Sequence, residues 1–164
     1  MADPMTDSAA NLATETSVTE TIEKITNRHT LEEAFNVRRQ VFIDEQKVPA
    51  DLELDEFDKD KKTLHILARD SRGNAIGTAR MRPYTEPGVG KVERVAVLKS
   101  HRRTGLGRKL MEKLELEAKE LGFQEIKLNA QLHARDFYER LGYKPKGETF
   151  FEAGIEHIAM HKSL

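Results

Sequence analysis

Apolar residues along this chain recur at two periods, and the two periods alternate. Thr21-Ile22-Glu23-Lys24-Ile25-Thr26 reads as a short first strand with weak patterning. Thr30-Leu31-Glu32-Glu33 has the form of a capping box, with Thr at the N-cap and Glu three residues on. Leu31, Ala34, Phe35, Val41 and Phe42 then share one helical face with Val37 at its edge, so a helix is predicted to about Asp44, before Pro49. Residues 51–62 form a charged loop. Thr63–Arg69 reads as a strand, Asp70–Asn74 as a turn and Ala75–Met81 as the antiparallel partner. Lys91–Leu98 is the next strand. From Leu106 the period returns to that of a helix. Leu106, Leu110, Leu114, Ala118 and Leu121 make one stripe, and Gly122 supplies the stop. Glu125–Ala130 is a strand, Ala134–Leu141 a short helix, and Tyr143–Phe151 and Ile155–His161 two closing strands.

The predicted order is strand, helix, three strands, helix, strand, helix, two strands. It describes a mixed α/β domain with one central sheet. Met1 to about Ser17 is rich in Ala, Ser, Thr and Asp without periodicity and reads as a disordered tail, leaving residues 18–164 as one domain.

Composition narrows the chemistry. The chain has 164 residues, no Cys and a formal net charge of -1. Thiolate catalysis, disulfides and Cys-based zinc sites are excluded, and no global nucleic-acid footprint exists. No apolar stretch approaches the roughly 20 residues that span a bilayer. The first twenty residues carry neither an apolar core nor a basic residue, so no secretory or transit signal is read and a cytoplasmic location is the default. An EF-hand reading of Asp51–Asp58 fails, because Glu56 and Lys62 stand where Gly and Glu are needed. No metal is expected. That acidic loop reads as solvated, or as a lip for a cationic ligand.

The densest local signal is Arg102-Arg103-Thr104-Gly105-Leu106-Gly107, between the apolar strand and the long helix. A strand, a glycine-bearing turn and a helix leave unpaired backbone N–H groups pointing outward, where the helix dipole favours an anion. Lys99, Arg108 and Lys109 crowd the same place. A P-loop string is absent, and Leu110 occupies the third-glycine position of a dinucleotide fingerprint. A basic helix start after a surface turn is the plain alternative.

The pattern Arg-x-x-Gly-x-Gly resembles motif A of the GNAT superfamily of N-acetyltransferases. Ala134-Arg135-Asp136-Phe137-Tyr138-Glu139-Arg140-Leu141-Gly142-Tyr143 resembles that family's Ala-x-x-Phe-Tyr-x-x-x-Gly-Phe segment. Arg39–Gln46, Val48-Pro49, Asp55, Asp58, His65, Asn129-Ala130-Gln131 and Gly154–Ile158 are similar to the ElaA/YjcF-like branch. The resemblance implies a mostly antiparallel sheet, splayed between its fourth and fifth strands and flanked by helices on both faces. It implies acetyl-CoA as co-substrate, with its pyrophosphate on the amides of Arg102, Arg103, Thr104, Gly105, Leu106, Gly107 and Arg108. Its pantetheine would run along Val95, Ala96 and Val97 near Asn129. Tyr138 would be the acid that protonates the thiolate, although Phe137, Tyr138 and Leu141 also suit a core stripe.

The base is open between Glu93, on the splayed strand on the face of Val95 and Val97, and His65, which opens a strand. A solvated glutamate and a structural histidine are the plain alternatives. Glu45, Gln46, Arg80, Arg94, Gln131 and His157 complete the acceptor set that the branch motifs suggest. The expected activity is acetyl transfer to a primary amine of a small molecule or protein. An acyl-CoA sensor without turnover is the alternative. Neither a nucleic acid nor a membrane is expected as partner, and the chain is expected as a monomer or homodimer.

Overall fold

The computed structural model describes residues 20–164. The expected tail lies outside them. Seven strands form one sheet: β1 Thr21–Lys24, β2 Leu64–Arg69, β3 Ala75–Pro83, β4 Val89–Val97, β5 Glu125–Gln131, β6 Lys144–Glu152 and β7 Ile155–Ser163, in the order β1-β2-β3-β4-β5-β7-β6. Every neighbouring pair is antiparallel except β4 and β5, which are parallel. Four helices accompany the sheet: α1 Arg28–Arg38, α2 Ala50–Glu53, α3 Leu106–Glu120 and α4 Arg135–Arg140.

Successive residues of a strand point to opposite faces, and the end of β4 shows what lies on each. Ala96 packs with Val37 and Val41 of the α1 segment. Val97 joins Leu106, Leu110 and Leu114 of α3, together with Phe137 and Tyr138 of α4. The sheet is therefore covered on both faces. Gly107 lets the two helices of one face approach, since a Cβ there would stand 3.1 Å from the Phe137 ring.

The α1 segment departs from its sequence pattern. Its N-cap is Asn27, whose side chain accepts from the Thr30 backbone N–H, so Thr30 is not the cap. Glu33 instead pairs with Arg69. Val37 is core rather than edge, and Arg38 beside it is buried. After Arg38 the helix widens by one residue per turn through Arg39–Glu45. This rotates the later positions relative to a 3.6-residue reading. The stripe of α3 matches expectation through Ala118. Leu121, however, sits at the C-cap and is exposed, because Gly122 turns the chain there at φ +92°.

The charged loop is the largest correction. It contains α2 and a 3-10 turn at Glu56–Lys59, and Glu53 and Asp58 are buried. Asp51, Glu56 and Asp60 are exposed as expected, but Glu53 and Asp58 turn inward, so the loop is only partly solvated.

Candidate active site

β4 and β5 pair only from Val89–Val92 against Glu125–Leu128. Beyond that point they diverge, and the β4 edge from Glu93 to Val97 faces no strand on the β5 side. A bulge in β4 accompanies the divergence. Ala96 opposes Thr78 and Glu93 opposes Arg80, so Arg94 and Val95 together face Ala79. Arg94 absorbs the extra residue at φ +59°, a left-handed conformation that is uncommon for a side-chain-bearing residue.

The bulge shifts the parity of the strand. Glu93 shares a face with Ala96, toward α1, rather than with Val95 and Val97. An even alternation in the sequence could not reveal this.

The opening between the two strands is a cavity of about 480 Å³. Val92, Val95, Leu128, Asn129, Ala134 and Tyr138 line it at the strand divergence. Gln46, Arg94, Gln131 and His157 of the expected acceptor set also line it. Four non-glycine residues among those described have positive φ: Lys47, Arg94, Arg103 and Ala153. Arg94 and Ala153 line the cavity, Lys47 lies between the lining residues Gln46 and Val48, and Arg103 is in the glycine loop. Ala153 with Gly154 makes the β6–β7 hairpin turn, whereas Arg94 and Arg103 put uncommon backbone conformations at the β4 bulge and in the glycine loop.

The loop before α3 has the form of an anion cradle. Gly105 is the N-cap residue at φ +87° and offers no side-chain cap. No described residue accepts a hydrogen bond from the backbone N–H groups of Arg103 through Arg108. Six consecutive amides at the positive end of a helix of 15 residues suit a diphosphate well. Arg103 and Arg108 are exposed beside them. Arg102 is engaged elsewhere. Its guanidinium grips both carboxylate oxygens of Glu45 at 2.6 Å and donates to the Val97 carbonyl at 3.0 Å. That hydrogen bonding keeps the Glu45 carboxyl below its ordinary range. Glu45 therefore ties the end of the α1 segment to the end of β4 and does not line the cavity.

Tyr138 reaches the cavity from α4 and makes no hydrogen bond to any described residue. Burial pushes its phenol pKa upward, so the hydroxyl stays protonated and able to donate. Gln131 forms a reciprocal amide pair with Gln46, at 2.8 and 3.3 Å, joining the end of β5 to the α1 segment.

Beneath the cavity lies a buried ionic cluster that the sequence reading missed. Arg38 binds the Glu53 carboxylate at 2.7 Å and Asp58 at 2.6 Å. Arg80, fully buried, binds Asp55 at 2.8 Å, Asp58 at 2.7 Å and Glu93 at 2.8 Å. Arg94 donates to the Glu53 carbonyl at 3.0 Å and to Asp55 at 3.2 Å. The cluster fixes α2 as one wall of the cavity. The one available signal was Arg38 itself, a charge within the apolar face of Ala34, Val37 and Val41.

Two expected bases are displaced by this cluster. Glu93 is gripped by Arg80 and Arg82 and lies 3.6 Å from Lys91. Burial alone would raise its pKa, but the Arg82 hydrogen bonds and the Arg80 charge outweigh burial and bring it to about 2. It is not a solvated strand glutamate, and a carboxylate so held has little affinity for a proton at neutral pH. His65 is buried away from the cavity with Nε2 3.2 Å from the Asp58 carbonyl, and burial lowers its pKa to about 4. Its position corresponds to the structural reading. Arg80 likewise does not reach the cavity.

No helix among the described residues is long and apolar enough to cross a membrane. No cluster of three or more His, Asp or Glu suited to a metal ion occurs among them.

The comparisons with known proteins agree with this geometry. Residues 13–164 match the family model described as an acetyltransferase (GNAT) domain. The Bacillus subtilis N-acetyltransferase YjcF is 42% identical over 137 residues, covering 83% of this chain and 94% of YjcF. An acyl-CoA N-acyltransferase structure from Pseudomonas aeruginosa superposes with a TM-score of 0.76 at 28% identity, covering 88% of this chain and 99% of that one. Escherichia coli ElaA has the same fold, with a TM-score of 0.79 at 24% identity and coverage of 88% and 99%. With its parallel strands parting beside a glycine-loop helix, the chain belongs to the GNAT acetyltransferase family and is an acyltransferase.

Proposed function

We propose that the protein transfers an acetyl group from acetyl-CoA directly to a primary amine held in the same cavity. The observation that carries this reading is the join between the unpaired amides of Arg103–Arg108 and the free β4 edge at Glu93–Val97. The amides suit the pyrophosphate. The strand edge at Val95, Ala96 and Val97 suits the two amides of pantetheine, which would complete the ladder as a missing strand. The thioester then falls near the bulge at Arg94, and a backbone N–H of β4 there polarises its oxygen. Asn129 and Tyr138 lie on the far side of the same opening.

The residues divide the chemistry between them. The amine nitrogen attacks the carbonyl carbon, the C–S bond breaks, and the Tyr138 hydroxyl donates its proton to the departing sulfur. The proton lost by the acylated nitrogen restores the phenol. Holding both substrates together supplies the proximity that the reaction requires. The reaction uses no metal and fits a cytoplasmic enzyme.

The test is CoA release from acetyl-CoA with a panel of primary amines, run on the wild-type chain and on Arg102→Glu. The variant replaces the clamp on Glu45 with like charge and adds negative charge beside the amides. The expected result is a rise of about tenfold or more in the acetyl-CoA KM. Acetyl-CoA binding without CoA release in any amine reaction would favour a sensor. An unchanged KM would remove the loop from the site.

A further inference from the structure

The cavity has two sides. Tyr138 enters from the face of α3 and α4. His157, on β7, enters from the opposite face. Ile158, its neighbour, packs into the α3 core, while His157 stands opposite Gln131 and Phe150 in the strand register. Consecutive strand residues face opposite ways, so the acid and this imidazole reach the opening from its two sides.

The His157 ring is fixed in two ways. It stacks on Phe150 with the ring centres 5.9 Å apart and the planes 20° from parallel. Its Nδ1 lies 2.7 Å from the Ile155 carbonyl oxygen. A carbonyl only accepts, so Nδ1 carries the hydrogen. In the neutral ring Nε2 is then the unprotonated nitrogen, and no described residue occupies it. A ring held by a backbone carbonyl at one nitrogen and open at the other is the arrangement of an oriented base.

The surroundings of His157 select the amine. The carboxylates at the base of the cavity are already committed: Glu53 to Arg38 and Arg94, Asp55 to Arg80 and Arg94, and Glu93 to Arg80 and Arg82. Glu152, exposed at the β6 rim, is the one lining carboxylate without a cation partner among the described residues. The cavity thus offers a single free negative charge and no second one for a polycation. The apolar residues of the walls near the α1 segment, α2 and β7 are Phe42, Val48, Leu52 and Ile155. Leu52 is half exposed at the rim and adds an apolar side chain to the edge that the sequence suggested would be acidic.

We propose that His157 is the general base of the transfer, taking through Nε2 one proton from the ammonium of an apolar primary amine seated against Phe42, Val48, Leu52 and Ile155. This rests on the acetyltransferase reading above and names its base and acceptor class. The proton moves from the ammonium nitrogen to Nε2. The freed lone pair then attacks the thioester carbonyl, and the imidazolium returns its proton to solvent after CoA leaves.

The experiment compares 2-phenylethylamine with its near-isostere benzylhydrazine, in the wild-type chain and in His157→Gln. The hydrazine is far less basic and needs no base to become nucleophilic. In the variant, kcat/KM should fall ~100-fold or more for 2-phenylethylamine and stay within about threefold for benzylhydrazine, since only the first requires proton removal. The acetyl-CoA KM should not change. Equal losses for both amines would make His157 a structural residue and overturn the proposal.

Wild-type turnover of polar amines without turnover of 2-phenylethylamine would overturn the acceptor class and leave the acetyltransferase reading intact. Long-range proton–nitrogen NMR of the wild-type histidines gives a readout that does not depend on the variant folding. The neutral His157 ring should carry its proton on Nδ1, and a proton on Nε2 would overturn the assignment.

Discussion

Asp58→Asn tests whether the ionic cluster under the cavity holds the fold together as its geometry implies. The Asp58 carboxylate accepts four hydrogen bonds. Oδ1 receives Arg38 at 2.6 Å and Arg80 at 2.7 Å, and Oδ2 receives Arg38 at 3.0 Å and the Asp55 backbone N–H at 3.0 Å. Burial alone would raise its pKa. The hydrogen bonds and charge of Arg38, with the Asp55 amide and the Arg80 charge, hold it well below the usual carboxylate range.

Asparagine keeps the shape but has one acceptor oxygen. Whichever way the amide is turned, two of the four bonds are lost and an N–H faces a donor. It also leaves two buried guanidinium groups one negative charge short. Hydrogen bonds to charged groups contribute about 1.5–3 kcal/mol each, which puts two of them at about 3–6 kcal/mol. Removing one partner of a buried ion pair costs about 3–5 kcal/mol by comparison. The two routes agree on a loss of about 4 kcal/mol, or roughly 8–16 °C in Tm for a domain of this size.

Urea unfolding at neutral pH is the assay, with an unchanged m-value showing that only stability moved. Asp55→Asn is the internal control. Asp55 also pairs with Arg80 and Arg94, but its side chain is 25% exposed, against 3% for Asp58. Its loss should be at most half as large. A loss below about 1 kcal/mol for Asp58→Asn, or equal losses for the two variants, would refute the assignment of a buried, solvent-shielded cluster.

Three further predictions concern the loop, the acid and pH. Gly105→Ala would place a Cβ that meets only the Arg108 guanidinium, at 4.0 Å, so its penalty comes from the backbone at φ +87°. Stability should fall by about 1–2 kcal/mol in urea unfolding, with a raised acetyl-CoA KM as the amides turn away. Tyr138→Phe should lower kcat by about 100-fold with little change in the acetyl-CoA KM, because only the hydroxyl is lost from a packed ring. Steady-state CoA release measures it, and full retained activity would remove Tyr138 as the acid. His65 has a folded pKa of about 4, against an ordinary value of 6.5. Protonation therefore favours the unfolded chain, so the stability contributed by its neutral ring is complete above pH 6.5 and is lost as pH falls toward 4. The loss is about 3 kcal/mol. Urea midpoints across that window should lose this slope in His65→Gln.

What the sequence made legible depended on how local each constraint is. The α3 stripe and the glycine loop are set within a few residues by periodicity and by the demand for positive φ at Gly105. They could therefore be read directly, as could the order of strands and helices apart from α2. The misreadings arose where a distant element or a one-residue irregularity decided the outcome. The bulge at Arg94 reverses the face of Glu93, and the widened turn at Arg39–Glu45 rotates the end of the α1 segment. Glu53, Asp55 and Asp58 looked solvated because their cations, Arg38, Arg80 and Arg94, are supplied by α1, β3 and β4.

The same long-range pairing bears on the reaction. By committing Glu93 and closing His65 into the core, the cluster removes two proton acceptors from the cavity. The opposite wall retains an imidazole oriented through the backbone of β7. The charged network thus separates stability from chemistry. Variants within it should unfold the protein before they alter its pH-rate profile, while variants at His157 and Tyr138 should change rates at nearly constant stability. A cluster variant that kept wild-type stability while shifting the acidic limb of kcat/KM would show that the separation is false.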